Sequence, residues 1–314
     1  MSAPWSGHGL PPVAQARIDE IKSSGTWGSA LSTPEFAAIK SAGFEPVGQV
    51  LGAAVYNVGY TSYGYGYGCP SGMAFTTYNR MQTWRPGYTA LSSAGASSPY
   101  GGLVQTLYAA RRAAISRMSE ECAGLGGHGV VGVRLTISRF PAGGLEFHAI
   151  GTAVRAPGGV RLRRPFTSDL SGQEFAKLIA DGVVPVGLVL GISIGSRHDD
   201  WMTRGQTMWG AGNTEVAGYT ELVNMTRHDA RNELRKDVAR LGGDGVVVQS
   251  MDLRIGEQEC PVSEGARDHI AESTIIGTAI ARFAPSNRRS EGPSLAIMSL
   301  DPERRRAVRR GISN

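Results

Sequence analysis

Two hydrophobic periods follow one another along the chain. LSTPEFAAIKSAG (31–43) predicts a short helix, with Ser32 as N-cap, Glu35 at the third helical position and Gly43 as the stop. PVGQVLG (46–52) comes next, apolar and rich in β-branched residues, and reads as a strand. Further on, Leu103, Leu107, Ala110, Ala114, Met118 and Leu125 recur at three- and four-residue steps. That spacing predicts a long amphipathic helix, and Leu125-Gly126-Gly127 is a left-handed stop for it. Two strands are expected after it, near 129–140 and 145–155, alternating as a half-buried sheet does.

The same order then recurs. WGSALSTPEFAAIKSAGFEPVGQVLG (27–52) aligns without a gap to FTSDLSGQEFAKLIADGVVPVGLVLG (166–191), with about half of the positions identical. Ser171 and Glu174 repeat the helix start. LGGHGVVGVRL (125–135) returns as LGGDGVVVQSM (241–251), and AIGTAV (149–154) as IIGTAI (275–280). Met225, Ala230, Leu234, Val238 and Leu241 outline the second long helix, and strands are expected near 245–255 and 272–283. The expected organisation is an N-terminal extension over 1–26, copy one over 27–156, a linker over 157–165, copy two over 166–283 and a tail over 284–314. The extension holds a short helix near 10–25, opened by Pro11-Pro12 and closed by Gly25. The expected fold class is α+β: two tandem copies of a small domain, each a β-sheet packed on one long helix.

Composition narrows the class. The 314 residues are 41% hydrophobic and 19% charged, which suits a globular chain with real cores. The first residues lack a basic stretch followed by an apolar one, so no signal peptide is expected. The longest apolar run, 182–195, is too short and too glycine-broken to span a bilayer. Three cysteines without close pairing fit a reducing cytoplasm. Of the net charge of +5, the segment 287–314 supplies +4, through seven arginines against three acids. The body is therefore nearly neutral, which argues against nucleic acid except through the basic tail.

LGGxGVVGVRL, EFHAIGTAV and the earlier PVGxVLG together resemble the YbjQ-like family, twice along the chain. The resemblance implies a small α+β fold that assembles into rings, pentameric in single-domain members, and a customary heavy-metal-binding label. The duplication, the Tyr/Gly insertion and the terminal extensions depart from that pattern, which leaves the subunit number open.

Candidate chemistry is sparse. Paired metal ligands such as CxxC or HxxxH are missing. Cys122, His128 and His148 of copy one become Val238, Asp244 and Thr274 in copy two, which favours ordinary core and surface roles. The hairpin EQECPVSEGARDHIAE (257–272) concentrates donors for a divalent transition metal, with Cys260, His269, Glu259 and Glu264 as ligands; a solvated acidic loop is the plainer reading. There is no P-loop and no dinucleotide glycine fingerprint after a strand, and no catalytic residue is assigned. Glu35 and Glu174 sit where capping acids belong. YTSYGYGYGCPSG (60–72) reads as a contact loop, with Tyr63, Tyr65 and Tyr67 facing another subunit or a partner, or as plain surface. The expected function is a non-enzymatic, ring-forming homo-oligomeric scaffold. The alternatives are a heavy-metal-binding protein and an enzyme with an interface active site.

Overall fold

A computed structural model describes residues 5–7, 9–57, 87–93, 100–140, 144–158, 162–259 and 267–282. The contact loop with Tyr63, Tyr65 and Tyr67, the tail, Cys260 and Glu264 lie outside the described residues. The protein is α+β. The first half holds α1 (Pro12–Ser24), α2 (Thr33–Ser41), β1 (Glu45–Asn57), β2 (Thr89–Leu91), α3 (Gly101–Gly124), β3 (Gly129–Phe140) and β4 (Gly144–Arg155). The second holds β5 (Phe166–Thr167), α4 (Gly172–Ala180), β6 (Val183–His198), α5 (Trp201–Thr207), α6 (Ala217–Leu241), β7 (Gly245–Glu259) and β8 (Arg267–Arg282). No helix among the described residues is long and apolar enough to cross a membrane.

The helix signals act as their chemistry requires. Glu35 Oε2 accepts from the Ser32 amide at 2.8 Å, and Glu174 Oε2 from the Ser171 amide at 2.8 Å, so both short helices open on a capping box. Gly126 and Gly242 take left-handed φ of 72° after the long helices. The next amides, Gly127 and Gly243, reach back to Cys122 O and Val238 O.

Two four-stranded sheets result, ordered β1-β4-β3-β5 and β2-β6-β8-β7. In each, the strand before the long helix pairs antiparallel with the last strand, and the last strand with the one before it. The register slips at corresponding places, between Pro46 and Gly48 and between Pro185 and Gly187. α3 lies on β1, burying Val50 and Ala54 with Leu107, Ala110, Ala114 and Met118. α6 lies on β6, where Val189, Ala230, Leu234 and Ile275 form a second cluster. A helix carboxylate holds an edge amide in each case: Glu121 takes Leu51 N at 2.8 Å, and Asp237 takes Leu190 N at 3.1 Å. Glu121 is also paired with Arg17, which secures α1 to the assembly.

The inner strands of sheet two, β6 and β8, are buried along most of their length. Leu188, Ile192 and Ile194 join the core under α3, and Tyr108 of α3 accepts from the Ile192 amide at 2.8 Å. Two elements fall where the sequence pattern did not place them. β5, from the second half, extends sheet one, and β2, from the first half, extends sheet two. The stretch 257–272, read as an acidic loop, is mostly paired strand, because β7 runs to Glu259 and β8 restarts at Arg267. Hydrogen-bonded pairing on sheet two outweighs the polarity of these side chains.

Candidate functional site

Two features stand out: a polar network at one end of sheet two, and a strand seam on sheet one. The network gathers around β6 and β8. His269, nearly buried, lies opposite Glu257 in the ladder, and its Nδ1 is 3.1 Å from Asp199 Oδ1. Tyr219 packs on its ring at a tilt of 43° with 4.2 Å between centroids, and donates its hydroxyl to Asp199 Oδ2 at 3.2 Å. Burial and then Asp199 raise the Tyr219 phenol, so it stays a neutral donor. His198 Nδ1 sits 2.6 Å from Asp268 Oδ1, and Asp268 is fully buried. Arg197, also buried, reaches Glu221 at 2.6 Å and Asp200 at 3.5 Å. Asp200 caps α5, and the hydrogen bond from the Thr203 amide holds its carboxyl below the usual range. Acids and bases therefore alternate in pairs, which offsets their removal from water.

This arrangement bears on the metal expectation. His269 Nδ1 is engaged by Asp199, and Nε2 lies 3.9 Å from Glu257 Oε2. Glu259 closes β7. Among the described residues, no three His, Cys, Asp or Glu side chains are arranged to hold a metal ion; Cys260 and Glu264 lie outside those residues. Asp199 and Tyr219 were missed in the sequence because they lie 70 and 50 residues from His269 along the chain. The other scattered candidates stay apart: His128 Nδ1 accepts from the Ala156 amide at 3.0 Å, and His148 Nδ1 lies 3.3 Å from Thr136 Oγ1.

Cys122 is enclosed in the core under α3, its thiol donating to Gly129 O at 3.3 Å. Burial pushes this thiol up to about 12. In a Cys69→Ser/Cys260→Ser background, Cys122 is expected to resist a thiol-specific disulfide reagent at mildly alkaline pH and to react fully on denaturation. Rapid reaction of the native chain would contradict this burial.

The seam is built from the start of the second half. Phe166 and Thr167 of β5 run parallel to Gly129 and Val130 of β3. Phe166 N donates to His128 O at 3.1 Å and Ser168 N to Val130 O at 2.9 Å. In return Ser168 O accepts from Val133 N at 2.9 Å, and Leu170 O from Gly132 N at 3.0 Å. The Phe166 ring covers Gly129, where any Cβ would overlap it. α4 follows, bringing Phe175 into a fully buried cluster with Ile39, Val131 and Val154. Phe175 stacks on Phe166 at 5.7 Å and meets Phe44 edge-on at 5.0 Å. Glu35 of α2 accepts from Gly172 N at 3.4 Å, joining the two short helices.

The sequence profile of the YbjQ-type family, described as "Putative heavy-metal-binding", matches residues 91–157. The chain is 35% identical over 283 residues to the encapsulin nanocompartment protein Rv1762c of Mycobacterium tuberculosis. That alignment covers 87% of this chain and 92% of the relative. With nearly the whole of both chains aligned at that identity, this protein belongs to the same family as the mycobacterial nanocompartment protein, and it carries a YbjQ-type segment over residues 91–157.

Proposed function

We propose that the chain is a non-enzymatic scaffold that assembles with copies of itself, built from one α+β domain used twice. The matching strand orders, register slips and helix-to-edge carboxylates of the two sheets support the duplication. The observation that carries self-assembly is β7. It is a 15-residue strand at the border of sheet two, paired on one side only, and it exposes Val248, Met251 and Ile255. A long apolar edge strand is a template for pairing with another chain, and natural proteins leave one open chiefly where a partner covers it. The relative named for a nanocompartment supports the same reading. The profile description favours a heavy metal as an alternative, but among the described donors His198 and His269 are hydrogen-bonded to Asp268 and Asp199, so assembly is the stronger reading.

Light scattering coupled to size exclusion tests it. A mass several times the chain's 33.2 kDa is expected at micromolar concentration. A single species of one chain mass ends this reading.

A further inference from the structure

We infer that the free edge of β7 in one chain receives residues Trp27–Leu31 of a second copy, in the geometry that β5 already uses on β3 inside each chain. The inference rests on the scaffold reading above and names the surfaces that perform it.

The sequence repeat maps the seam onto new positions. Phe166, Ser168, Leu170 and Phe175 correspond to Trp27, Ser29, Leu31 and Phe36. His128, Gly129, Val130 and Val131 correspond to Asp244, Gly245, Val246 and Val247. Within the chain, only the first combination is made: the second half supplies the inserting segment, and sheet one supplies the edge. The complementary pair is left over. Among the described residues, the amides of Trp27 and Ser29 and the carbonyls of Ser29 and Leu31 take no backbone partner, although their counterparts in the second half all do.

Burial follows the same division. Leu170 and Phe175 are buried, whereas Leu31 and Phe36 are only half-buried and Trp27 is 37% exposed. Val130 and Val131 are fully buried, whereas Val246 and Val247 are half-buried. The inserting segment is nonetheless already shaped. Trp27 stacks on Phe36 at 6.1 Å and 17°, as Phe166 stacks on Phe175 at 5.7 Å and 13°. Ala30 N donates to Thr152 Oγ1 at 3.0 Å, as Asp169 N donates to Thr278 Oγ1 at 3.1 Å.

Gly245 adds an independent argument. At Gly129 a side chain is excluded by the Phe166 ring. At Gly245 the nearest atom to a Cβ is 3.6 Å away, on Ile280, so nothing in the chain itself requires glycine there. The ring of Trp27 from a second copy fills that space. Because donor and acceptor surfaces differ, the contact is head-to-tail, and repeated rotation closes it into a ring. Paired strands supply the backbone bonds and the aromatic pair supplies the register.

Two variants separate the surfaces. Gly245→Val blocks the acceptor, while in the single chain its Cβ meets only Ile280, at an ordinary contact distance of 3.6 Å. Trp27→Asp removes the donor ring. Each is expected to run as one chain mass with an unchanged circular dichroism melt below the assembly contribution. Mixed in equal amounts, they retain one good donor and one good acceptor between them, so a species of twice the chain mass is expected and nothing larger. As a reading independent of those variants, Gly28→Cys with Val246→Cys in a Cys69→Ser/Cys260→Ser background is expected to give an interchain disulfide ladder on oxidation. A wild-type assembly whose mass both variants leave unchanged, without that ladder, overturns this interface while the scaffold reading stands. Loss of assembly in Gly245→Val but not in Trp27→Asp, again without the ladder, means another segment covers β7 and also overturns it. A wild-type chain that stays single overturns both.

Discussion

Replacing Gly191 by alanine is expected to cost about 3 kcal/mol or more, enough to abolish soluble expression or to bring urea unfolding to much lower denaturant. Gly52→Ala is expected to behave alike. At Gly191 the long helix α6 lies directly on the strand, and a methyl group there would fall on the Ala230 carbonyl and within 2.9 Å of Leu234 Cβ. At Gly52 it would fall on the Ala114 carbonyl and within 2.6 Å of the Met118 amide. These are backbone atoms in the middle of helices, so no side-chain rotation relieves the overlap. The helix must lift from the sheet, and the carboxylates Glu121 and Asp237 would lose their edge amides with it. Gly205→Ala is the control: its Cβ position is open and it lies within α5, so alanine should be neutral or stabilising by a few tenths of a kcal/mol. Normal stability of Gly191→Ala would mean that helix and strand do not touch as described.

The second large effect is expected from Phe175→Ala. Phe175 is fully buried among Ile39, Val131, Val154 and Phe44, and its removal leaves a cavity where sheet one, α2 and α4 meet. Such truncations cost about 3–5 kcal/mol, or roughly a 10 °C fall in melting temperature for a unit of this size. Phe36→Ala is the informative comparison. Phe36 is half-buried, so about half of a phenylalanine's burial energy, roughly 1–2 kcal/mol, is expected from it in the single chain. Equal falls for both variants under dissociating conditions would show that the two positions are equally buried in one chain, contrary to the structure. Together the pair measures how much of the seam is completed inside the chain.

Period, capping and repetition made much of this protein legible without coordinates. Ser32 with Glu35, and Ser171 with Glu174, announce helix starts because the capping bonds span three residues and are local. The heptad-like steps through Leu107, Ala114 and Met118, and the Gly-Gly stops, place the long helices for the same reason. The two halves align without a gap over 27–52 and 166–191, and the structure has two four-stranded sheets, with α3 on β1 and α6 on β6. Hairpin polarity misled because a polar side chain does not stop its backbone from pairing: Glu257, His269 and Glu272 all stand in the β7–β8 ladder, and His269 and Glu272 are buried there.

What sequence period cannot convey is which half completes which sheet. Phe166 and Trp27 occupy the same place in the repeat, yet one covers Gly129 and the other remains 37% exposed. The residue types are nearly interchangeable; the difference is made by chain connectivity, since the short link from β4 delivers Phe166 to the adjacent β3 edge, while no segment of the chain delivers Trp27 to β7. The His269–Asp199 and His198–Asp268 pairs were likewise decided only when β6 and β8 came into register, because ion pairing depends on distance in space and those partners are 70 residues apart. The sequence by itself determined the capped short helices, the long helices, the main strands around them and the order in which these recur, all of which rest on interactions within a few residues. The tertiary structure alone decided the covered edge, the open edge and the polar network, because these arise from contacts that exist only after the sheets have formed.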